Sequence, residues 1–427
     1  MTLLQLATRN VLRNARRSAL TAITVLLGCA LLTIGLSWVT GIHGSFIDAG
    51  VRANGHVRLV SDAYAQREQL APLYENIPDT AELIVQLSEV EDVEHAFPRI
   101  QMGVAASVGG DEIGEVFGLL VGAPTEYYDQ ILDLRPRVIE GTFFTEDGAA
   151  EEALIGRSLA ANMEAKVGDE AIFLGQTQDG SISPIKVTVA GIVDTGNGLF
   201  DKQVYVSLEK ARWMADIPDG SVEILVFGAD SDISTTLVQR IEPMLAQLAE
   251  TGGVLDIDGN QGTLSMSAWD TRAPFSTIIA TARIIIGIIS TIIVFITALG
   301  VLNTMLMSVL ERTAEIGVLR ALGMKVWGVV LMFVLEAITI SAIGGFVGTV
   351  IGSVVSILME AHGVDLGGAA SNLPDTIPTN RILYPDWSWD LAGASFALGI
   401  IMAFIGSASP ALRAARVQPV TAMRNRR

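Results

Sequence analysis

The sequence predicts a membrane protein with four transmembrane α-helices and an α+β extracytoplasmic domain inserted between the first two. Three observations predict it. Four apolar runs, Leu20–Val39, Ile284–Val309, Val326–Met359 and Trp389–Ala408, each supply the roughly 20 residues a helix needs to cross a bilayer core. Charge is split: residues 41–275 carry 38 of the 46 acidic and 14 of the 28 basic residues, a net of −24, while the remainder is positive. Basic residues also gather at one end of every apolar run, which sets its direction.

The elements follow in order. Residues 1–19 form an amphipathic helix, with Arg9, Arg13, Arg16 and Arg17 on one stripe and Leu4, Ala7, Val11 and Ala15 on another. Such a helix lies along the inner leaflet with its cations near anionic lipid; the same arginines also serve as a topology signal. Residues 20–40 are the first span. Its apolar run is too long for a signal-peptide core and lacks the small-residue cleavage pattern, so it is read as retained.

Residues 41–275 mix strand and helix patterns. His56–Val60, Arg99–Val108, Val116–Val121, Ala171–Leu174, Ile185–Val193, Val204–Ser207 and Glu223–Phe227 read as strands. Thr80–Leu87, Leu208–Met214 and Thr235–Leu248 read as helices, the last with Ser234 as its N-cap, and Ala153–Ala165 reads as a strand running into a helix.

Residues 276–310 are the second span with a stalk, 311–325 a short charged helix, and 326–359 the third span. Residues 360–388 are an outer loop, 389–409 the fourth span and 410–427 a basic tail. The second and third apolar runs exceed what a membrane needs, so both are expected to project beyond the lipid. Arg312, Arg320 and Lys325 lie between them, and Arg413, Arg416, Arg424, Arg426 and Arg427 follow the fourth. Both termini and the short helix therefore face the cytoplasm. The acidic domain and the Asp365/Asp375/Asp386 loop face outward, with Trp387 and Trp389 at the outer interface.

Small residues repeat every four positions at Gly344, Gly348, Gly352 and Ser356, and again at Ser395, Gly399, Ala403 and Ser407. These stripes let helix backbones approach closely, within one chain or across a dimer. Almost no ionisable residue lies mid-membrane, Glu336 being nearest, which argues against an ion pump or proton relay.

Chemistry of the chain's own is not legible. The four histidines show no HExxH spacing, and there is no Gly-x-Ser-x-Gly. Asp256, Asp258 and Asn260 fall short of a calcium loop, because Gly259 is out of place and Ser267 stands where a bidentate Glu is needed. No P-loop occurs, so the chain is expected to bind no ATP, cofactor or metal itself and to be no enzyme. Its net charge of −18 argues against a nucleic-acid partner, although the sum hides the split above, and a lone cysteine, Cys29, excludes an internal disulfide.

The most specific segment is Asn303–Gly323, NTMLMSVLERTAEIGVLRALG, which begins apolar and ends charged, with Glu311 and Glu315 at i, i+4. ERTAEIGVLRALG resembles the cytoplasmic motif of MacB/FtsX-type ABC transporter permeases. SPALRAARVQPVTAMR resembles that family's ending, with Gln418 where Asp is usual and Met423 where Leu is usual. RNVLRNARRSALTAITVLLG resembles its beginning. LIGRSLAANMEAKVGDEAIFL and KVTVAGIVDTG are similar to the MacB-like periplasmic core domain. With GHVRL after the first span, the nearest flavour is the LolC/LolE-like branch.

The resemblance implies a multi-pass protein of the bacterial inner membrane with its large domain in the periplasm. It implies pairing with a second permease, identical or related, and with two copies of a separate ATPase that holds the ATP and magnesium. The helix around 311–321 would be the coupling helix. Glu311, Arg312, Glu315, Gly317, Arg320 and Gly323 would meet that ATPase, with Arg413 and Arg416 close by. The substrate would be a lipoprotein or other amphiphile outside the membrane, moved by the outer domain and passed to a periplasmic adaptor or carrier where one exists. A MacB-like efflux permease and an FtsX-like signalling module that activates a cell-wall hydrolase are the alternatives.

Overall fold

The computed structural model describes residues 15–109, 116–145, 151–198, 200–229, 233–251, 263–271, 275–311, 313–365 and 382–415. Two units emerge: residues 45–279 with 366–382, and residues 1–44, 280–365 and 383–427.

In chain order the elements are helix α1 (Ala15–Asn54), strand β1 (Val57–Ser61), α2 (Asp62–Gln66), α3 (Thr80–Ser88), β2 (Val93–Val108), β3 (Val116–Ala123), β4 (Val138–Gly141), β5 (Glu152–Gly156), α4 (Arg157–Met163), β6 (Glu170–Gln176), β7 (Ile182–Val193), β8 (Gln203–Ser207), α5 (Leu208–Ala215), β9 (Glu223–Gly228), α6 (Ser234–Thr251) and β10 (Leu264–Ala268). Then come α7 (Phe275–Glu311), α8 (Thr313–Ala321), α9 (Val326–His362) and α10 (Trp389–Ala415).

The sheet of residues 45–279 has ten strands in the order β10-β1-β9-β2-β3-β8-β5-β7-β4, with β6 pairing β2 and β7. Most neighbours are antiparallel; β3 and β8, and β5 and β7, run parallel. The 16-residue β2 is the common member. Its residues from Val93 to Arg99 pair with β9, and from Ile100 onward it pairs with β3 and β6.

Cores form on both parts of the sheet. Val57, Leu59, Ile224 and Val226 pack under α3 and α6 through Leu83, Leu87, Leu237 and Ile241. The alternation of Ile185, Val187 and Val189 buries one face of β7 beside Ile155, Phe173, Val204 and Met214. A third, aromatic cluster holds Phe97, Tyr127, Tyr128, Phe143, Phe144, Tyr205 and Phe227.

Local signals set the junctions. Ser207 caps α5 by accepting a hydrogen bond from the Lys210 amide at 3.2 Å. Gly55, at φ +69°, closes α1 in the left-handed region, its amide bonding the Val51 carbonyl at 2.7 Å.

The structure departs from the sequence expectations in a few places. The first helix runs unbroken to Asn54, past the expected end of the span at residue 40. Helix α6 begins at Ser234 itself, so Ser234 is its first residue and not its cap. Pro243 lies inside that helix. Strands β4 and β10 have no counterpart in the sequence reading, being short or weakly alternating.

Among the described residues, three helices are long and apolar enough to cross a membrane: Ser18–Asn54, Val326–His362 and Trp389–Arg413. The second expected span falls on α7, within which Gly287–Gly300 is a shorter apolar stretch. The helices pack where side chains are smallest. A Cβ on Gly344 would meet the Ala22 backbone, one on Gly348 the Leu26 carbonyl, and one on Gly352 the Ala30 backbone at 2.8 Å. A Cβ on Gly399 would strike the Cys29 Sγ, and that thiol donates to the Ser395 carbonyl at 3.8 Å. Gly344, Gly348, Gly352 and Gly399 thus face α1 of the same chain.

Candidate functional site

The turn between α7 and α9 is built around one anchor. Ile316 of α8 is 1% exposed and packs among Val309, Val329, Phe333 and Ala411, where α7, α9 and α10 meet. Gly317 beside it is also buried. Helix α8 ends because Gly323 adopts φ +95°, with the Leu322 amide bonded to the Val318 carbonyl at 3.0 Å and the Gly323 amide to the Arg320 carbonyl at 3.1 Å. Arg320 Nη1 closes the turn by donating to the Met324 carbonyl at 3.2 Å. Lys325 then stands at the N-cap position of α9.

Among the described residues, the turn presents several large apolar side chains outward, beside the exposed Lys325. Val318 is 48% exposed, Leu322 80% and Trp327 74%. Among the described side chains, α8 is thus anchored through Ile316 and exposes apolar surface at Val318. Arg413 is exposed on α10 two residues beyond the buried Ala411, which places it on the same bundle end. The side chains of Glu311 and Glu315 are not among those described, although both residues lie on helices. Arg312 and Arg416 fall outside the described residues, as do Arg9 and Arg13; Arg16 and Arg17 lie in α1, their side chains undescribed.

The sheet unit holds two further features that the sequence reading missed. The first is a buried ionic node. Glu223 of β9 accepts from Arg99 Nε of β2 at 2.7 Å and from Arg58 Nε of β1, and Arg58 Nη1 reaches Glu68 at 2.8 Å. The three central side chains are at most 6% exposed. Burial alone would raise the Glu223 carboxyl, but the Arg58 and Arg99 guanidiniums outweigh it and hold it below the usual carboxylate range. The signal was present: Arg58 in HVRLV, and Glu223 directly before ILVF, are charges placed inside apolar strands.

The second feature is an open groove of 810 Å³. Leu70, Leu73 and Tyr74 wall it on one side, Met102, Val104 and Phe117 on the second, and Leu174 and Ile182 on the third. Phe117 and Ile182 are more than 70% exposed, so the groove offers apolar surface to a ligand. Among the described residues no group of three or more His, Cys, Asp or Glu side chains is arranged to hold a metal ion.

Comparison with known proteins places these parts. The family model described as MacB-like periplasmic core domain matches residues 18–244, and that described as FtsX-like permease C-terminal matches residues 287–419. The chain is 23% identical over 98% of its length to the macrolide export ATP-binding/permease protein MacB of Wolinella succinogenes. It is 26% identical, again over 98%, to the pyoverdine export ATP-binding/permease protein PvdT of Pseudomonas entomophila. It spans about 60% of the length of these relatives. A crystal structure of the periplasmic region of MacB from Actinobacillus actinomycetemcomitans overlays 52% of the chain and 92% of that region at 15% identity, with a TM-score of 0.36.

Proposed function

The chain belongs to the MacB/FtsX-type ABC transporter permease superfamily, and from that premise we propose that it converts ATP hydrolysis by an ATPase on another chain into motion of its outer domain. Residues 1–427 are non-catalytic in this reading, and ATP and magnesium sit on the partner. The observation that carries the proposal is the anchored α8, with Ile316 buried beneath it and Leu322 and Val318 displayed. In this reading Glu311, Arg312, Glu315, Arg320, Arg413 and Arg416, which the sequence sets in or near this segment, would meet the ATPase as α8 docks in one of its grooves. Four spans, with α7 as the second, then set both termini and α8 in the cytoplasm and the acidic domain in the periplasm of a bacterial inner membrane. Two permeases, alike or related, complete the assembly.

The cargo in this reading is a lipoprotein or other amphiphile taken from the outer face of the membrane, as in the LolC/LolE-like branch. The open apolar groove beside Phe117 supports a ligand of that kind. A second reading is favoured by the relatives, whose names assign them to macrolide and pyoverdine export: a permease for small-molecule efflux, working with an adaptor.

The test is Glu315→Lys. The variant should insert normally, while ATPase binding and permease-stimulated hydrolysis fall at least tenfold. Wild-type stimulation by this variant would remove α8 from the coupling role.

A further inference from the structure

Helix α1 ends inside the sheet unit, and its last carbonyls are not left to water. Arg99 Nη1 donates to the Ala53 carbonyl at 2.5 Å and to the Tyr127 hydroxyl at 3.1 Å. Tyr127 in turn donates its proton to the Arg52 carbonyl at 2.8 Å. The negative end of a helix dipole favours a cation, and here the cation is buried and fixed in direction. Its direction comes from the ionic node: Glu223 holds Arg99 Nε, and Arg58 holds Glu223. Only a guanidinium can serve both ends at once, because its planar fork donates to Glu223 through Nε and to Ala53 through Nη1.

Stability does not explain this arrangement. Two guanidiniums and a carboxylate withdrawn from water are a weak way to stabilise a fold, since well-packed apolar residues often do as well. What charge and fork geometry add is orientation. The network joins β1, β9 and β2, three adjacent strands next to the β10 edge of the sheet, to two carbonyls at one helix end.

We propose that Arg99, positioned by Glu223 and Arg58, together with Tyr127 forms a clamp on the end of α1 that delivers displacement of this helix to the sheet. Without it the last turn of α1 would fray, and motion arriving along the helix would be absorbed there. The proposal rests on the reading that ATP-driven motion reaches the outer domain, and its test separates the two.

The test is hydrogen exchange on the full chain in lipid nanodiscs, for wild type, Arg99→Lys and Tyr127→Phe. Lysine keeps a cation beside Glu223 but loses the fork, and phenylalanine removes only the hydroxyl. Exchange of the amides in 51–57 should rise roughly fivefold or more in both, the effect of losing one hydrogen bond, while 185–193 and 203–207 keep wild-type protection. Unchanged exchange at 51–57 overturns the clamp. Protection lost equally across the sheet overturns it as a local device.

The second arm adds the co-purified ATPase with ATP and vanadate. The wild-type sheet should change its exchange on nucleotide trapping, and both variants should hydrolyse ATP yet lose that response. A full response in the variants overturns delivery through the clamp. A wild type that hydrolyses ATP with no response anywhere in 57–268 overturns the transport reading instead, and the first arm still decides whether the clamp exists.

Discussion

Gly348 of α9 lies against the Leu26 carbonyl of α1 with no space for a side-chain carbon between them. Gly344 and Gly352 make the same approach one turn to either side, against Ala22 and Ala30. Without a hydrophobic driving force between helices in lipid, this fit is what holds the pair. Gly348→Leu should therefore force the helices apart and cost about 1–3 kcal/mol, as overpacking does elsewhere. Gly393→Ala, where nothing lies within 4 Å, should be neutral. Thermal unfolding in detergent compares the two; equal midpoints would refute the tight contact.

The acid limb of stability should depend on Glu223. Its folded-state carboxyl lies below the usual range, so its contribution is fully present above the unfolded value of about 4.3 and is lost as pH falls through the lower folded value. Glu223→Gln should flatten stability against pH in that window. At neutral pH it should cost about 3–5 kcal/mol, because two buried guanidiniums lose their carboxylate. Unfolding followed by tryptophan fluorescence from pH 3 to 7 measures both effects.

Asp201 has the opposite sign. Burial raises its carboxyl, although it accepts from the Thr195 amide at 2.8 Å and the Thr195 hydroxyl at 2.6 Å. A carboxylate with a raised folded value favours the fold at low pH and loses that advantage as pH rises through the folded value. Asp201→Asn keeps an acceptor without the charge. It should leave neutral-pH stability unchanged or higher and remove this part of the pH dependence; a clear loss of stability at pH 7 would contradict the assignment.

Topology has a direct readout. A cysteine at Ser181, on a Cys29→Ser background, should react with an impermeant thiol reagent in intact spheroplasts, and one at Ala321 should not. The reverse pattern would invert the whole layout.

How much of this was legible in the sequence depends on what each feature requires. Helices α9 and α10 were readable because lipid demands long unbroken apolar runs, and β7 because one buried face forces alternation. The continuation of α1 to Asn54 was not, since residues 41–54 carry His43, Asp48 and Arg52 and no longer look apolar. That stretch is helical for a different reason: it ends on the Arg99 and Tyr127 donors, 46 and 75 positions away. The glycine stripe was visible as a pattern, but its facing partner was not, because spacing names a helix face and never its neighbour. At the turn, Gly323 marked the end of α8 by type, whereas the burial of Ile316 depends on Ala411 from the far end of the chain.

Strand β2 changes partners between Arg99, which faces Glu223 of β9, and Ile100, which faces Gly122 of β3. Pro98, which has no amide proton to offer a ladder, stands beside that handover. Since side chains alternate along a strand, an offset of a single residue reverses which face each one meets. Inserting or deleting one amino acid between Ala96 and Met102 would thus put one half of the sheet out of phase with the other, whichever half kept its alignment. Length, more than identity, is the property this short stretch cannot vary.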